Sequence, residues 1–576
     1  MNKQTFLDSF GHIANAPGGI DKLRRLVLDL AIQGRLTERR DSDEPTSELL
    51  SNLEKERARL AAIRRVRAPK TLTPLVETDV PFGLPDTWEW VQLGQLAVDI
   101  HYGMTAKAST EKTEPAFVRI TDIKHSDIQW SGVPGCIESD GATDKFLLTV
   151  GDILIARSGS VGVSTVVRDL PRPAVFASYL IRIVPTGNWL SAWWPVVAGS
   201  GHYWRQVKKS TTGSAQQNIN GTNIRHWILP IPPIKEQWRI VEKVEDFMGL
   251  CDELEEQQAT RAEARSALTA ATLHRVSKAG QNDDLQSAAG AFADNIGLHL
   301  APGEGDLAAL KRIRQAILDL AVRGWLTHRD PDDAPATDLL TQIAVERDRL
   351  VKAMEIRKPK KFAPTEPGEV SFTLPEGWTW TRANEFFIAS DSGWSPQCLI
   401  EQAGPGEWGV LKTSAVSRGV FEEAANKKLP PALEPRPQLE VHPGDFVMIR
   451  ASGSKDLVGR GAIVTETESH LMLSDKHIRL SFLSEASTRY WAILNDSTEV
   501  QCYYSAKSSG TSTMSNVTRD RIGALAVPVP PLGEQARIAE AVEALFAICD
   551  DLEQQFLAAQ DVRRDLGDSV AAHASW

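Results

Sequence analysis

Cysteine is scarce in this sequence, and the cysteines present form no pattern that would hold a disulfide framework or a metal ion. The five residues are scattered through the 576-residue chain without a CxxC pair: Cys136, Cys251, Cys398, Cys502 and Cys549. No HExxH motif and no His/Cys cluster with the spacing of metal ligands occurs either. We therefore expect reduced thiols, no metal site in this chain and a cytoplasmic location.

Long apolar runs and an excess of positive charge are also missing. No stretch approaches the ~20 apolar residues that span a bilayer, and the first residues contain no apolar core followed by a small-residue cleavage site. The net charge of −11 argues mildly against a nucleic acid as partner, although a DNA surface needs only a local basic face. These absences leave a multidomain globular protein as the expectation.

The chain contains an internal repeat, which is visible when the sequence is compared with itself. RRLVLDLAIQGRLT at 24–37 aligns with RQAILDLAVRGWLT at 314–327, and the same offset of 290 relates LPDTWEW at 84–90 to LPEGWTW at 374–380. Further on, PIPPIKEQWRI at 230–240 matches PVPPLGEQARI at 528–538 with an offset of 298. The matching flanks therefore form a common scaffold. The segments between them, called the middles below, differ in sequence and can carry a different binding specificity in each half.

The segment after each Pro-Pro pair has the periodicity of a long helix. Apolar residues recur in steps of four and three, the spacing of a heptad seam. They are Ile240, Val244, Phe247, Cys251 and Leu254 in the first copy, and Ile538, Val542, Leu545, Cys549, Leu552 and Phe556 in the second. This pattern predicts coiled-coil helices over 236–278 and 534–566, and the alternative is a helix that packs on its own domain.

The remaining segments are shorter. Residues 19–66 and 306–356 indicate shorter helices with Gly34 and Gly324 as C-caps, and 279–305 indicates a linker. The middles, 88–235 and 378–533, contain short β-branched runs between turns, such as GDILIAR at 151–157 and GDFVMIR at 444–450. These runs predict compact domains that are mostly sheet.

This alternation of helical flanks and variable β-rich domains resembles the specificity subunits of Type I restriction–modification systems. LPxxWxW at 84–90 and 374–380 is similar to the start of that family's target recognition domains, and PPxxEQ at 232–237 and 530–535 is similar to their end. GDILIARSGS at 151–160 is similar to a strand–loop segment of the family, and the second copy departs from it at 449–454 by one extra residue. Each motif alone is weak, but their duplication in a fixed order is specific to this family.

The resemblance implies an α+β fold with two mostly-β target recognition domains, separated by a long antiparallel coiled-coil pair and related by a pseudo-twofold internal repeat. The expected regions are an N-terminal helical region at 1–80, recognition domains at 81–236 and 371–534, a central helical region at 237–370 including the linker, and a C-terminal helix at 535–576. Each recognition domain would contact one half of a bipartite, asymmetric target in double-stranded DNA.

The resemblance also implies partners. Two methyltransferase (modification) subunits would bind the helical regions, and up to two motor–nuclease (restriction) subunits would join the full complex. S-adenosylmethionine and ATP with Mg²⁺ are expected on those partners, with no cofactor in this chain. The alternatives are a recognition subunit of a related phage-defence system and a coiled-coil assembly scaffold whose β domains bind protein.

Catalytic motifs are missing from the chain. A DNA adenine methyltransferase needs Asn or Asp before a Pro-Pro pair and an aromatic residue after it, whereas Ile231 and Val529 precede the pairs here. GSVGVST at 159–165 lacks the lysine with which a GxxxxGK[ST] loop reaches nucleotide phosphates. We therefore expect no catalytic residue.

Four segments are rich in the side chains that read base edges, namely Arg, Lys, Asn and Gln with Ser and Thr as adaptable partners. They lie at 157–160, 208–218, 450–455 and 507–513, and the second and fourth are expected to be equivalent loops. Solvated turns are the alternative. The candidate DNA-binding residues are Lys107, Arg157, Ser158, Ser160, Lys208, Lys209, Thr212, Ser214, Gln216, Gln217, Arg450, Ser452, Ser454, Lys455, Lys507, Ser508, Thr511 and Ser512.

Some further segments are weaker candidates for DNA contact, and the charge distribution bears on affinity. The weaker candidates are 102–107 and 392–395, and Trp193-Trp194 and Tyr503-Tyr504 either stack on bases or belong to the core. Residues 81–236 carry a net +1 and residues 371–534 a net −4, which leaves −8 on the helical scaffold. We expect modest DNA affinity from the chain alone, with the partner subunits supplying much of the phosphate contact.

Overall fold

The computed structural model divides the chain into two compact units. It describes residues 3–63, 72–76, 80–109, 114–137, 143–212, 217–278, 306–417, 419–507, 509–511 and 514–574, together with a few residues between 287 and 295. The first unit consists of Met1–Arg261 with Ala558–Trp576, and the second consists of Ala262–Leu557. The linker predicted at 279–305 lies almost entirely outside the described residues.

Helices form the flanks, and shorter helices also occur within each middle. In chain order they are α1 Lys3–Phe10, α2 Gly19–Ile32, α3 Thr46–Ile63, α4 Leu93–Leu96, α5 Asn188–Ala198, α6 Gly201–Ser210, α7 Gly221–Arg225, α8 Ile234–Lys278, α9 Asp306–Ala321, α10 Ala336–Lys352, α11 Ala383–Phe386, α12 Glu485–Asn495, α13 Thr498–Lys507, α14 Arg519–Gly523 and α15 Leu532–Ala574. The long helices α8 and α15 have 45 and 43 residues, and α15 continues past Gly567, where the sequence predicted its end. Among the described residues, no helix has the length and apolarity needed to cross a membrane.

The first middle is built from short strands. They are β1 Glu89–Gln92, β2 Ala97–Tyr102, β3 Lys107–Ser109, β4 Ala116–Val118, β5 Ile123–Lys124, β6 Asp127–Ile128, β7 Gly135–Ile137, β8 Ile153–Ala156, β9 Ser164–Val166, β10 Ala174–Phe176, β11 Leu180–Pro185 and β12 Ile228–Ile231. The two larger sheets have the strand orders β2-β11-β8-β9 and β10-β4-β7-β3, and β1-β12 and β5-β6 are two-stranded.

The second middle follows the same plan. Its strands are β13 Thr379–Arg382, β14 Ala389–Ser392, β15 Trp408–Leu411, β16 Val416–Ser417, β17 Val420–Phe421, β18 Asn426–Lys428, β19 Phe446–Ile449, β20 Ala451–Ser452, β21 Gly461–Ile463, β22 His470–Met472, β23 His477–Ser481, β24 Ser509–Thr511, β25 Met514–Asn516 and β26 Ala526–Val529. The sheets are β14-β23-β19-β21, β18-β15-β22, β20-β25-β24, β13-β26 and β16-β17.

The two middles share one topology although most of their residues differ. The first strand of each middle pairs with its last strand, at Trp90↔Pro230 in the first and at Trp380↔Pro528 in the second. The paired residues are therefore related by the same offsets, 290 for the tryptophans and 298 for the prolines, that relate the two copies in the sequence. Each middle also contains a parallel strand pair, β4 with β10 and β15 with β22. The repeat predicted from the sequence is therefore a structural repeat.

A buried hydrogen-bonded contact joins the start and the end of each middle. Trp88 Nε1 donates to Glu236 Oε2 at 2.9 Å, and Thr37 Oγ1 donates to Glu236 Oε1 at 3.2 Å. The second unit repeats this contact with Trp378 at 2.8 Å and Thr327 at 3.2 Å from Glu534. Burial raises the pKa of Glu534, against the lowering effect of these two donors. The LPxxWxW and PPxxEQ motifs thus bind each other, and the threonine links them to the helical flank.

Glycine ends the second helix of each flank in the left-handed conformation, as the sequence predicted. Gly34 has φ +69° and Gly324 has φ +71°, and the amides of Gly34 and Arg35 donate to carbonyls of the last helical turn, which is the Schellman arrangement. A Cβ on Gly34 would lie 2.6 Å from Pro85 Cγ. The proline of the LPxxW motif therefore packs directly on this cap.

The first half of each long helix packs into the core of its own unit. Ile240, Val244, Phe247 and Cys251 belong to one core with residues of α1 and α2, and the rings of Phe6 and Phe247 lie 4.7 Å apart. The equivalent residues of α15 enter the core of the second unit. Packing on the helix's own domain, the alternative weighed for the heptad seam, therefore describes these halves.

Short flank helices connect to both long helices within a unit. Arg24 of α2 donates to Asp252 at 2.7 Å and to Glu255 at 2.6 Å in α8, and Lys22 pairs with Asp568 of α15 at 2.7 Å. This ion pair places the α2 part of the segment 19–66 beside the C-terminal helix. In the second unit, α9 makes the corresponding contacts through Arg314 to Asp550 and Glu553 and through Arg312 to the Ser266 carbonyl.

Replacing Trp88 by phenylalanine should destabilise the first unit. The indole N–H is lost while the Glu236 side chain, in a residue only 1% exposed, stays buried, and an unsatisfied buried acceptor costs about 1–3 kcal/mol or more when charged. Urea unfolding of the purified chain would measure the change. Trp90→Phe is the matched control, because its indole donates to the Phe82 carbonyl in a half-buried setting. Equal losses for the two variants would contradict the role given to Trp88.

Candidate nucleic-acid interface

Four segments of the first unit converge where strand β8 ends. The Arg157 amide donates to the Tyr179 carbonyl at 2.9 Å, and the Arg157 carbonyl accepts from the Ile219 amide at 2.9 Å. Ser158 forms a β-bridge with Asn218. The backbone around Arg157 is therefore fixed on both sides by parts of the chain that are distant in sequence.

The Arg157 side chain is held as well. Its Nε donates to Asn218 Oδ1 at 3.1 Å, and its guanidinium lies 4.6 Å from the ring centroid of Tyr102. The Tyr102 hydroxyl accepts from the Gly221 amide at 2.8 Å, which fixes the ring. Within the part of the chain that the structure describes, no hydrogen bond is made by the two Nη atoms of Arg157.

A hairpin leads away from this cluster. Thr212 and Asn218 exchange backbone hydrogen bonds of 2.9 and 3.0 Å, and Gln217 beside them is exposed. Lys208 and Lys209 are exposed in the last turn of α6, which precedes the hairpin. Ser214 and Gln216 lie outside the described residues. Asn218 and its partner Thr212 are therefore brought to the end of β8, together with Arg157.

The second unit repeats the backbone arrangement. The Arg450 amide donates to the Lys476 carbonyl at 2.7 Å, and the Arg450 carbonyl accepts from the Val517 amide at 2.9 Å. Ala451 pairs with Asn516. Arg450, Lys476 and Asn516 thus take the places of Arg157, Tyr179 and Asn218.

The Thr212–Asn218 pairing also has its counterpart, so the described ends of the second and fourth candidate segments occupy corresponding places. Strands β24 and β25 form it, and Ser452 pairs with Ser515 one step beyond Ala451, a pairing that the first unit lacks among its described residues. Ser508 and Ser512 lie outside the described residues, as do the side chains of Lys507 and Thr511. Ser454 donates its amide to Ser452 Oγ at 3.2 Å, and Lys455 is exposed in a short 3-10 turn.

The charges differ between the two clusters. Ser395 Oγ donates to Asp475 Oδ1 at 2.5 Å, and this bond lowers the pKa of the Asp475 carboxyl, with smaller contributions from the charges of Lys476 and Arg450. Arg450 Nε is buried without a hydrogen-bond partner in the described structure. The second cluster therefore contains a carboxylate beside its arginine, whereas the corresponding turn of the first cluster has Ser178 and Tyr179.

Some candidates fall outside these clusters. Lys107 is exposed on β3, an edge strand of the other sheet, and no contact among the described residues joins it to Arg157. Ser160 is exposed two residues after the bridge at Ser158. The aromatic pairs belong to the core: Trp193 and Trp194 are 0% and 1% exposed, Tyr504 is 1% exposed and Tyr503 is half-buried.

Residues that the sequence pattern did not single out complete the clusters. Tyr179 is 58% exposed and its carbonyl anchors Arg157, while Asn218 orients the Arg157 side chain. Lys476 and Asn516 hold the equivalent places. Asn218 is the last residue of the candidate segment 208–218, although it was not among the candidate residues, whereas Asn516 lies three residues beyond the candidate segment 507–513.

The chain contains two β domains with corresponding main sheets and differing side chains. Each domain has a polar loop cluster and is attached to a repeated helical flank. This arrangement is that of a recognition protein with an internal duplication. The family model of the Type I restriction modification DNA specificity domain matches residues 85–264 and 446–559. The EcoEI specificity subunit of Escherichia coli is 32% identical, over 96% of this chain and 93% of its own length. This chain belongs to the family of Type I restriction enzyme specificity subunits.

The chain is also similar to other proteins. The Escherichia coli EcoAI specificity subunit is 29% identical over 64% of this chain and 62% of its own length. Among solved structures, the HsdS subunit from Thermoanaerobacter tengcongensis is 16% identical with a TM-score of 0.40, covering 86% of this chain and 98% of that one. A chain from a type I R-M system has the same identity and coverage of this chain, covers 99% of its own length and has a TM-score of 0.44.

Proposed function

We propose that this chain reads a bipartite, asymmetric DNA sequence for a Type I restriction–modification complex and catalyses no reaction itself. The observation that carries the proposal is the pair of loop clusters at the ends of β8 and β19. Both clusters use the same backbone hydrogen bonds around an arginine, yet they present different side chains. A shared backbone arrangement that presents two different sets of polar side chains is suited to the reading of two different half-sites.

The repeated flanks are proposed to bind the partner subunits. Because the contacts of α2 with α8 recur between α9 and α15, two copies of one partner can find two equivalent surfaces. We propose that these partners are two methyltransferase subunits, with up to two motor–nuclease subunits added. S-adenosylmethionine and ATP with Mg²⁺ would then bind to the partners, and the complex would act in the cytoplasm.

A gel shift with the purified chain and its methyltransferase subunit separates a DNA reader from a protein scaffold. We expect a shift with genomic fragments that contain the target, a much weaker shift with the chain alone, and a steep loss of binding as salt rises, since phosphate contacts dominate the affinity. The methyltransferase without this chain is the control. A complex that forms between the two proteins but shifts no fragment would contradict the proposed function.

A further inference from the structure

We infer that Arg157 reads a guanine in the half-site of the first domain, and that Asn218 and Tyr102 are positioning residues that orient its guanidinium. The inference rests on the proposed function, and it assigns one base contact and its supports within that function.

The hydrogen bonds of Arg157 leave the donors of a base-reading arginine available. A bidentate pair with guanine uses two N–H groups that donate to O6 and N7 in the major groove. The Nε–H donates to Asn218 Oδ1 at 3.1 Å, and the guanidinium lies over the Tyr102 ring, with its Cζ 4.6 Å from the ring centroid. The two Nη groups make no hydrogen bond within the described part of the chain, so both can serve a planar, two-acceptor partner.

The surroundings of Arg157 also favour a base over a phosphate. A phosphate contact needs charge but little orientation, and flexible surface side chains such as Lys208 and Lys209 supply it. Arg157, in contrast, is half-buried. Its backbone is fixed by Tyr179 and Ile219, and its side chain is held by the bond from Nε to Asn218 and by the Tyr102 ring. Orienting a long side chain before binding reduces the entropy lost when the contact forms.

The second domain provides a built-in comparison. Arg450 has the same backbone anchors, but its Nε has no partner in the described structure, and the charge of Asp475 lies near it. The Asn516 side chain therefore does not orient Arg450 as Asn218 orients Arg157. Asn516 is the matched control for Asn218, since it is also an asparagine and occupies the equivalent position in the second domain.

The test measures which bases each domain requires. Complexes of the chain with its methyltransferase would methylate a set of targets in which every base pair of both half-sites is varied in turn. Arg157→Lys keeps the positive charge but cannot form the planar pair. We expect the preference for one G·C pair in one half-site to fall at least about fivefold, with every other position unchanged.

The positioning residues should move the same preference. Asn218→Ala and Tyr102→Leu should weaken it at the same base pair by a smaller factor, whereas Asn516→Ala should leave that half-site unchanged. If Arg157→Lys slows methylation of all targets equally, or changes nothing, the inference is overturned. Because Arg157→Lys keeps a positive charge and most of the side-chain length, it remains decisive even if Asn218→Ala fails to fold.

The experiment also separates this inference from the proposed function. If the unsubstituted complex methylates no bipartite target, the proposed function fails and the inference fails with it. If that complex reads two half-sites and Arg157→Lys still requires the same bases, the proposed function stands and only the assignment of Arg157 is wrong.

Discussion

A chain in which Gln216 and Gln217 are both replaced by alanine should lose recognition of one half-site and keep the other. Gln217 is exposed and directly precedes Asn218, whose backbone pairs with Thr212 and whose side chain contacts Arg157, while Gln216 lies outside the described residues. Glutamine pairs with adenine through two hydrogen bonds, and each such contact contributes about 1–3 kcal/mol of discrimination. Two lost contacts would reduce discrimination by a factor of about 30 or more.

Methylation of targets altered in one half at a time measures this effect. The matched variant is Ser508→Ala with Ser512→Ala in the equivalent hairpin, and it should affect only the other half-site. For each variant, the half-site that it should leave unaffected serves as the internal control. Unchanged discrimination in the glutamine variant would place the reading surface of the first domain elsewhere.

Lengthening both long helices should lengthen the gap between the half-sites without changing them. The boundary between the two units crosses α8 between Arg261 and Ala262 and crosses α15 between Leu557 and Ala558. Four residues added at each point extend each helix by about 6 Å, and they rotate the helix beyond the insertion by only about 40° from its original direction. Since DNA rises ~3.4 Å per base pair, we expect a gap longer by one or two base pairs.

Methylation mapping of the lengthened chain reports the gap and the half-sites together. An insertion of two residues at the same points rotates the helix beyond it by about 200°, so this control should lose methylation although it adds less length. The contacts that each unit makes to its own part of a long helix stay in place in both variants. A changed half-site with an unchanged gap would contradict the account of the helices as a spacer.

The parts of the fold that the sequence predicted are those with local or repeated signals. Gly34 and Gly324 are C-caps because a left-handed residue is required at one fixed place after a helix. The offsets of 290 and 298 predicted two copies of one domain, and the pairings of Trp90 and Trp380 agree with these offsets. Such signals depend on residues that are near in sequence or duplicated.

The parts that were not predicted depend on contacts between distant residues. Asn218 lies 61 residues from Arg157, and it reaches this arginine only when the hairpin returns to the end of β8. Tyr179 gives no sequence signal, because its backbone carbonyl and not its side chain anchors Arg157. Long-range pairing in domains with differing side chains leaves no local pattern to read.

The heptad seams illustrate a limit of periodicity. Ile240 and Ile538 recur with the spacing of a coiled coil, and both lie in the core of their own unit. An apolar stripe at steps of four and three is equally suited to a partner helix and to a domain surface. Periodicity predicted the helices and their buried face, and the residues that cover this face became evident only from the structure.

The central claim is that one chain with two differing recognition domains specifies two differing half-sites. Single-molecule methylation mapping of DNA from cells that carry this chain with its methyltransferase tests the claim most directly. The account predicts one methylated motif made of two different specific segments separated by a gap without sequence requirement. A contiguous motif, or a perfectly palindromic one, would contradict it.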